Sequence, residues 1–250
     1  MPRRPRIAVA DVPVHVIQRG NNRGACFFGD EDYARYLGDL RHLAPAFECA
    51  VHAYCLMTNH VHLLLTPRTA TGCGLLMKHL GQRYVQYVNR TRNRSGTLWE
   101  GRFRSCLVHS EPYLLTCYRY VELNPVRARM VRHPGQYPWS SYPVNGDEKP
   151  DALITPHELY RRLGRSRRER AENYRELFHS RLDETVLSDI RRATNGGFVL
   201  GSGAFALKIA RMLGRRVERG LPGRPRNDDR EPNDAAPAGG AKARQIAPGR

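Results

Sequence analysis

The spacing of hydrophobic and polar positions changes along the chain between the period of a strand and the period of a helix. Short runs rich in β-branched and aromatic residues that end at turn signals predict strands, and apolar positions three or four apart predict helices. The predicted strands are 12–19, 49–57, 60–66 and 97–109. The predicted helices are 30–46, 72–91 and a segment from Ser110 to near Pro125. This order predicts an α+β fold, a ferredoxin-like antiparallel sheet with packed helices.

The second half of the chain has a purely helical pattern. Hydroxyl and glutamate residues three apart form capping boxes at 155–158 and 166–169, which mark helix starts. The predicted helices are 156–163, 167–180, 183–193 and 203–213. Near its end the chain consists largely of Gly, Pro, Ala and charged residues, which favours disorder. We therefore expect a mixed α+β domain over 1–147, a small all-helical region over 150–214 and a disordered basic tail over 217–250.

The charge balance is strongly basic. The chain carries 41 Lys and Arg against 24 Asp and Glu, a formal charge of +17 at pH 7. An excess of this size usually indicates a polyanionic partner, and nucleic acid is the first candidate. No stretch comes near the roughly 20 apolar residues that a membrane-spanning helix needs, and the first residues lack the apolar run of a signal peptide. We therefore expect no membrane partner and a cytoplasmic, nucleoid-associated protein.

Two histidines on the predicted strand 60–66 are the first candidates for chemistry. Side chains alternate along a strand, so His60 and His62 share one face with Leu64. Their spacing of roughly 7 Å suits two ligands of one divalent metal. The pair alone leaves two alternatives open: partly exposed histidines without a metal, or a structural zinc site completed by cysteines. The six cysteines form no C-x-x-C pair, and we otherwise expect free, buried thiols.

A second candidate group lies on the helix that begins at Ser110. Tyr120 and Asn124 are four residues apart, so their side chains are neighbours on one helical face. A phenol beside an amide oxygen offers a nucleophile next to a third metal ligand. Pro125 disfavours helical geometry for the preceding residue, so we expect Asn124 in the last turn. Taken alone, Tyr120 is one of twelve tyrosines, and a packing role in the core is the commoner one for such a residue.

Taken together, these motifs resemble the single-tyrosine HUH transposases, and in particular the REP-associated tyrosine transposases. The resemblance is carried by H-V-H at 60–62 and by R-Y-V-E-L-N-P-V-R-A at 119–128. Further shared motifs are V-I-Q-R-G-N-N-R at 16–23, L-W-E-G-R-F-R-S at 98–105 and P-W-S-S-Y at 138–142. The resemblance covers roughly residues 5–145, and it implies that the domain over 1–147 is the catalytic domain.

The resemblance also implies a mechanism. His60, His62 and Asn124 correspond to ligands of Mg²⁺ or Mn²⁺, and Tyr120 corresponds to the nucleophile. The implied activity is cleavage and rejoining of single-stranded DNA at palindromic hairpins through a 5′-phosphotyrosine. Because the covalent link preserves the energy of the cleaved bond, no nucleotide cofactor is expected. A catalytically silent regulator that binds DNA hairpins on the same fold is the alternative.

Basic and aromatic residues supply candidates for DNA contacts. The candidates for phosphate binding are Arg19, Arg23, Arg83, Arg102 and Arg104. The candidates for stacking on bases are Tyr87, Trp99, Phe103 and Tyr118. A homodimer is possible in such a family, but we expect a monomer, because the added C-terminal helices occupy surface that a dimer would use.

Overall fold

Within residues 5–218, which the computed structural model describes, a five-stranded sheet is the centre of the fold. Its strands are β1 (Val14–Arg19), β2 (Cys49–Met57), β3 (His60–Pro67), β4 (Arg104–Val108) and β5 (Val199–Leu200). They lie in the order β2-β3-β1-β4-β5, and neighbours are antiparallel except β4 and β5, which are parallel. The first four strands have the ferredoxin-like order, so the predicted α+β class is confirmed.

Helices cover both faces of the sheet. The longer ones are α1 (Asp30–Ala46), α2 (Gly72–Thr91), α3 (Ser110–Glu122), α7 (Arg167–Glu176), α8 (Glu184–Gly196) and α9 (Gly203–Leu213). The short ones are α4 (Asn124–Arg127), α5 (Tyr142–Asn145) and α6 (Glu158–Arg161), together with 3₁₀ turns at Asn21–Arg23 and Pro134–Gln136.

The two faces of the sheet carry separate hydrophobic clusters. On one face Val61, Leu63 and Leu65 of β3 pack with α1 and α2. On the other face Leu64 packs with α3 and with α8. Because side chains alternate along β3, the histidines at 60 and 62 lie on the same face as Leu64. The aliphatic residues therefore anchor β3 in the core, and its polar positions lie on the side of the sheet that α3 covers.

The helix predicted from Ser110 is α3, and it ends at Glu122. Leu123 separates it from α4, and Pro125 occupies the first turn of α4, where its missing N–H leaves no hydrogen bond unmade. Pro125 thus limits α3 as expected. The chain then turns into a second short helix, and Asn124 is the first residue of that helix. The expectation that Asn124 lies in the last turn of α3 is therefore wrong.

The C-terminal region is mostly helical, as predicted, with one added strand. After α8, Gly197 adopts the left-handed conformation, with a φ of 66°. Val199 and Leu200 then pair in parallel with Leu107 and Val108. This pairing gives backbone partners to the edge of β4, which is otherwise an open sheet edge. A strand of two residues has no period of its own, so the sequence pattern could not indicate it.

The first helix of that region begins later than its capping box predicts. His157 is the N-cap of α6, and its ring nitrogen accepts from the backbone N–H of Leu159. The capping box at 166–169 is confirmed in its first half, because the Ser166 hydroxyl accepts from the N–H of Glu169 at 3.0 Å.

Other expectations have mixed outcomes. All six cysteines are free and buried, as predicted. No helix within residues 5–218 is long and apolar enough to cross a bilayer. The division of the chain near residues 147–150 stays a prediction. The predicted disordered tail over 217–250 lies outside the described residues, apart from its first two positions.

Candidate active site

Three histidines meet on the α3 side of the sheet. His60 and His62 belong to β3, and the central strand β1 contributes His15. In the antiparallel register Ile17 lies opposite His62 and Arg19 lies opposite His60, so His15, two residues before Ile17, points to the same side. The ring centroids of His60 and His62 are 4.9 Å apart, with the planes at 73°. Those of His15 and His62 are 5.3 Å apart. Strand alternation and β1–β3 pairing therefore build a cluster of three imidazoles.

Tyr120 lies against this cluster from α3. The centroid of its ring is 5.7 Å from that of His62 and 5.5 Å from that of His15, both in edge-to-face geometry. Only 4% of the Tyr120 side chain is exposed. Leu114 and Cys117 lie on the same side of α3 and bury it against the sheet. The structure thus brings the two candidate histidine ligands and the candidate nucleophile together.

Asn59 fixes the orientation of the His60 ring. The Asn59 side-chain nitrogen donates to the backbone carbonyl of Arg23 at 3.0 Å, and its Oδ1 lies 2.6 Å from Nδ1 of His60. An amide oxygen can only accept, so Nδ1 of His60 donates the proton. In the neutral ring the other nitrogen, Nε2, then keeps its lone pair, which is the form that binds a metal.

The three imidazoles are neutral near pH 7. Burial, together with the positive charge of Arg19, lowers the pKa of His60 to about 4. Burial, the two neighbouring histidines and Arg127 lower the pKa of His62 well below its ordinary value. Burial and Arg127 lower the pKa of His15 to about 3. Neutral imidazoles bind a divalent cation without first losing a proton.

Asn124 is used differently from the histidines. Its side-chain nitrogen donates to the backbone carbonyls of Tyr120 and Val121, at 3.0 Å each. Its oxygen accepts from Nη2 of Arg127 at 2.9 Å. The amide therefore satisfies carbonyls that the end of α3 leaves open. One lone pair of its oxygen remains, and its role as third metal ligand stays a prediction.

Arg127 is a residue of the site that sequence reasoning missed. Its guanidinium carbon lies 4.4 Å from the centroid of the Tyr120 ring, and its Nη2 donates to the Tyr120 carbonyl at 2.8 Å. Its other terminal nitrogen, Nη1, is buried and makes no hydrogen bond within the described part of the chain. The Arg127 cation therefore lies against the ring of Tyr120, and its Nη1 is a donor that no described residue uses. The available signal was the motif at 119–128, which contains Arg127, and not a helical period, because α3 ends at Glu122 and Arg127 belongs to α4.

The residues present fit a divalent metal. His60 presents a free Nε2 lone pair, and the centroid of its ring is close enough to that of His62 for both rings to reach one ion. Mg²⁺ prefers oxygen ligands, whereas Mn²⁺ accepts imidazole more readily, so this pair favours Mn²⁺. Among residues 5–218 no three His, Cys, Asp or Glu side chains are grouped so that they alone could hold a metal.

Three of the predicted DNA-binding arginines lie along one edge of the site. Arg19, Arg102 and Arg104 line a single small cavity next to β1. The adjoining cavity, of about 360 Å³, is lined by Arg102 and Arg104 and also by Arg6. Arg102 and Arg104 are exposed, and Arg104 donates to the side-chain oxygen of Asn195 at 2.9 Å. This edge, which we call the basic edge (Arg6, Arg19, Arg102 and Arg104), joins the histidine cluster at Arg19.

The other two arginines differ in position. Arg23 is exposed in the 3₁₀ turn next to Asn59, and so lies near His60. Arg83 belongs to α2, which packs on the opposite face of the sheet from Tyr120, and its Nη1 lies 3.9 Å from Oδ1 of Asp39. The structure therefore does not bring Arg83 to the site.

Two of the four aromatic residues predicted to stack on bases are core residues. Trp99 is 4% exposed and Tyr118 is fully buried, so a stacking role for them is wrong. Arg6 covers the ring of Phe103, with its guanidinium carbon 3.6 Å from the ring centroid. The hydroxyl of Tyr87 donates to Asp32 at 3.0 Å. Stacking by Phe103 and Tyr87 stays a prediction.

A family model matches part of the sequence, and one solved structure has the same fold. Residues 8–124 match the family model described as "Transposase IS200 like". The structure of a REP-associated tyrosine transposase bound to a REP hairpin matches with a TM-score of 0.51 at 12% identity, over 63% of this chain and 93% of that chain. A Deinococcus radiodurans protein assigned to the transposases matches over 48% of this chain and 96% of its own, at 23% identity and a TM-score of 0.35. No curated protein matches the sequence.

Proposed function

We propose that this chain is a tyrosine transposase specific for single-stranded DNA, because residues 8–124 match the family model described as "Transposase IS200 like". It cleaves and rejoins DNA at palindromic hairpins through a 5′-phosphotyrosine, with Mg²⁺ or Mn²⁺ as cofactor. The observation that carries the proposal is the position of the Tyr120 ring, 5.7 Å from that of His62 in a cluster that includes His60. A phenol in this position supports the role of nucleophile, and the two neutral imidazoles beside it support a metal site.

Tyr120 acts as the nucleophile. Its phenol oxygen attacks the phosphorus of a DNA phosphodiester, and the bond between phosphorus and the 3′ oxygen breaks. The phenol proton passes to water, and the departing 3′ oxygen takes up a proton. The products are a 5′-phosphotyrosine and a free 3′-OH, so a later attack by a 3′-OH restores the phosphodiester without a nucleotide cofactor.

His60 and His62 would hold the metal through Nε2, and oxygen ligands, among them Asn124, would complete the site. When bound, the ion offsets the negative charge of the scissile phosphate and polarises it toward attack. Asn59 holds the ring of His60 in the tautomer that this binding needs. Arg127 keeps a positive charge beside Tyr120, where negative charge develops as the proton leaves.

The basic edge holds the DNA strand that leads into the site. Guanidinium groups bind phosphates through two parallel hydrogen bonds. Arg102 and Arg104 are exposed on one side of the cavity, and Arg104 keeps the donors that it does not use toward Asn195. Arg19 connects this edge to His60. The fold is shared with a transposase that was solved with a REP hairpin, which supports a hairpin as the substrate. We place the activity at the chromosome in the cytoplasm, and the monomeric state stays a prediction.

A regulator that binds hairpins without chemistry is the alternative function. One observation favours the regulator: the Asn124 side chain, the proposed third metal ligand, is hydrogen-bonded to the end of α3. The oriented imidazoles of half-buried His60 and buried His62 favour the enzyme, because a binding surface needs no such pair.

Labelled hairpins test the proposal. We expect the full chain, incubated with Mn²⁺ and a single-stranded hairpin labelled at its 3′ end, to give a covalent protein–DNA band on a denaturing gel. In a parallel reaction with a hairpin labelled at its 5′ end, the labelled fragment should be released with a free 3′-OH. EDTA should abolish both the covalent band and the released fragment. Tyr120→Phe should abolish the band and keep hairpin binding, because only the attacking oxygen is lost.

Tyr87→Phe is the matched control, since it removes a hydroxyl from α2 on the other face of the sheet. It should form the covalent band like the wild type. A band that persists in Tyr120→Phe would overturn the assignment of the nucleophile. Tight hairpin binding without any cleavage by the wild type would favour the regulator.

A further inference from the structure

A chain of buried hydrogen bonds runs from α8 to His62. The hydroxyl of Thr194 lies 2.8 Å from the backbone carbonyl of Ile190 and 2.9 Å from Nδ1 of His15. Nε2 of His15 then lies 3.0 Å from Nδ1 of His62. Thr194 and His15 are fully buried, and His62 is 2% exposed. Water therefore does not compete for these groups, and each must be satisfied within the chain.

The donors and acceptors of Thr194 can be assigned from chemistry. A carbonyl oxygen has no proton, so the Thr194 hydroxyl donates to Ile190. The two lone pairs of that hydroxyl remain, and two groups approach it: Nδ1 of His15 and the thiol of Cys106, whose sulfur is 3.2 Å away. Both must donate. His15 therefore carries its proton on Nδ1.

The proton position on His15 determines the proton position on His62. No acidic side chain within residues 5–218 hydrogen-bonds to His15, and an unpaired charge in a fully buried ring is costly, so the ring is neutral. Its Nε2 then has only a lone pair and accepts from Nδ1 of His62. This leaves Nε2 of His62 without a proton, which is the state in which it can bind a metal.

We propose that Thr194 and His15 are positioning residues that hold His62 in its metal-binding tautomer. This inference rests on the proposed function in one point, which is that the free Nε2 of His62 binds a metal. In metal proteins the partner of a ligand histidine is usually a carboxylate or a carbonyl, whereas here a second histidine fills that place and is itself fixed by a hydroxyl. The predicted helical region therefore supplies a functional group to the site through α8, beyond its packing on β4.

The two histidine ligands are oriented independently. His60 receives its orientation from Asn59, in the turn between β2 and β3. His62 receives its orientation through His15 from Thr194 in α8, which is 132 residues further along the chain than His62. Loss of the Thr194 hydroxyl should therefore affect His62 and leave His60 unchanged. This selectivity separates a positioning role from general loss of packing.

The direct test is the tautomer of each ring in the metal-free full-length wild type, read from ¹⁵N chemical shifts of the imidazoles. We expect His15, His60 and His62 all to be protonated on Nδ1 and unprotonated on Nε2. A proton on Nε2 of His62 would overturn the proposal without any variant having to fold.

Thr194→Val supplies the second test, with Thr194→Ser as its matched control. Valine keeps the shape and removes the acceptor, whereas serine keeps the hydroxyl. We expect Thr194→Val to disturb the tautomer signals of His15 and His62 but not of His60, and to weaken Mn²⁺ binding by about 10- to 100-fold, measured by electron paramagnetic resonance. Thr194→Ser should bind Mn²⁺ nearly as the wild type does.

The outcomes separate this inference from the proposed function. Thr194→Val with wild-type tautomers and Mn²⁺ affinity would overturn the positioning role and leave the transposase assignment standing. A wild type that shows the expected tautomers but binds no Mn²⁺, with or without a hairpin, would overturn the metal-dependent function and, with it, the positioning role.

Discussion

The phenol of Tyr120 and the guanidinium of Arg127 lie together in the site. A positive charge is therefore held next to the phenol ring. The cation lies 4.4 Å from the ring centroid and is tied to the backbone carbonyl of Tyr120. In the proposed mechanism this cation would therefore keep its position before and after attack, and would need no reorganisation as charge develops on the phenol oxygen. Nη1 of Arg127 is buried and has no hydrogen-bond partner among the described residues.

We predict that Arg127→Gln slows formation of the covalent adduct by about 100-fold, the loss seen when one fixed donor is removed from a site of developing charge. Hairpin affinity should change little, because the charge lies under Tyr120 and not along the basic edge. Arg129→Gln is the matched control: it removes the same charge from an exposed position two residues away, and its rate should equal that of the wild type. Equal rates in single-turnover assays of both variants would contradict a catalytic role for Arg127.

At the scale of elements, α3 is fixed to the C-terminal part of the fold by a buried carboxylate. Oε1 of Glu122 accepts from Ser141 at 2.5 Å and from Asn145 at 2.8 Å, and Oε2 accepts from Tyr174 at 2.6 Å. These partners belong to α5, to the residue before it and to α7. Burial raises the pKa of Glu122 to about 7, although the three donors oppose the shift.

This carboxylate makes stability depend on pH. The ordinary pKa of 4.5 applies to the unfolded chain, so between pH 4.5 and about 7 the folded state holds a proton that the unfolded state has lost. The stabilisation is present in full below pH 4.5 and is lost as pH rises toward 7, by about 3 kcal/mol in total. We predict that Glu122→Gln, a neutral isostere, removes this loss from urea unfolding curves measured between pH 5 and 8. The exposed control Glu158→Gln should retain it, and a Glu122→Gln curve parallel to the wild type would contradict the assignment.

The elements differ in how far the sequence could predict them. β2, β3, α1 and α2 each have a clear period over eight or more residues, and their predicted bounds nearly coincide with the observed ones. β5 and α6 are short and are determined by tertiary contacts. The pattern of local periods contains no information on a strand that exists only because the edge of β4 accepts it.

The same limit applies to the candidate site. His60, His62 and Tyr120 were identified because they carry the motifs, and the structure brings them together. His15 could have been found by combining the alternation on β1 with the ferredoxin-like order, which makes β1 the neighbour of β3. Thr194 could not, since its contact with His15 spans 179 residues and joins a helix to a strand with no shared motif.

For the whole molecule, the formal charge of +17 matters through its placement. Arg102 is exposed on the basic edge beside the histidine cluster, whereas Arg83 lies near Asp39 on the opposite face of the sheet. Long-range attraction acts through all the positive charges, but only those that contact phosphates release counterions from the DNA. The two arginines were equivalent candidates in the sequence, and the structure makes them different.

We predict that Arg102→Gln reduces the slope of log K against log salt concentration for hairpin binding by about 1, the effect of one lost phosphate contact. Arg83→Gln removes the same charge and should leave the slope unchanged, so the pair controls for net charge. Titrations of a fluorescent hairpin between low and moderate salt, with Tyr120→Phe as the background to prevent cleavage, give both slopes. If the two variants lowered the affinity equally and neither changed the slope, the charge would act only from a distance, and the basic edge would not be the path of the DNA strand.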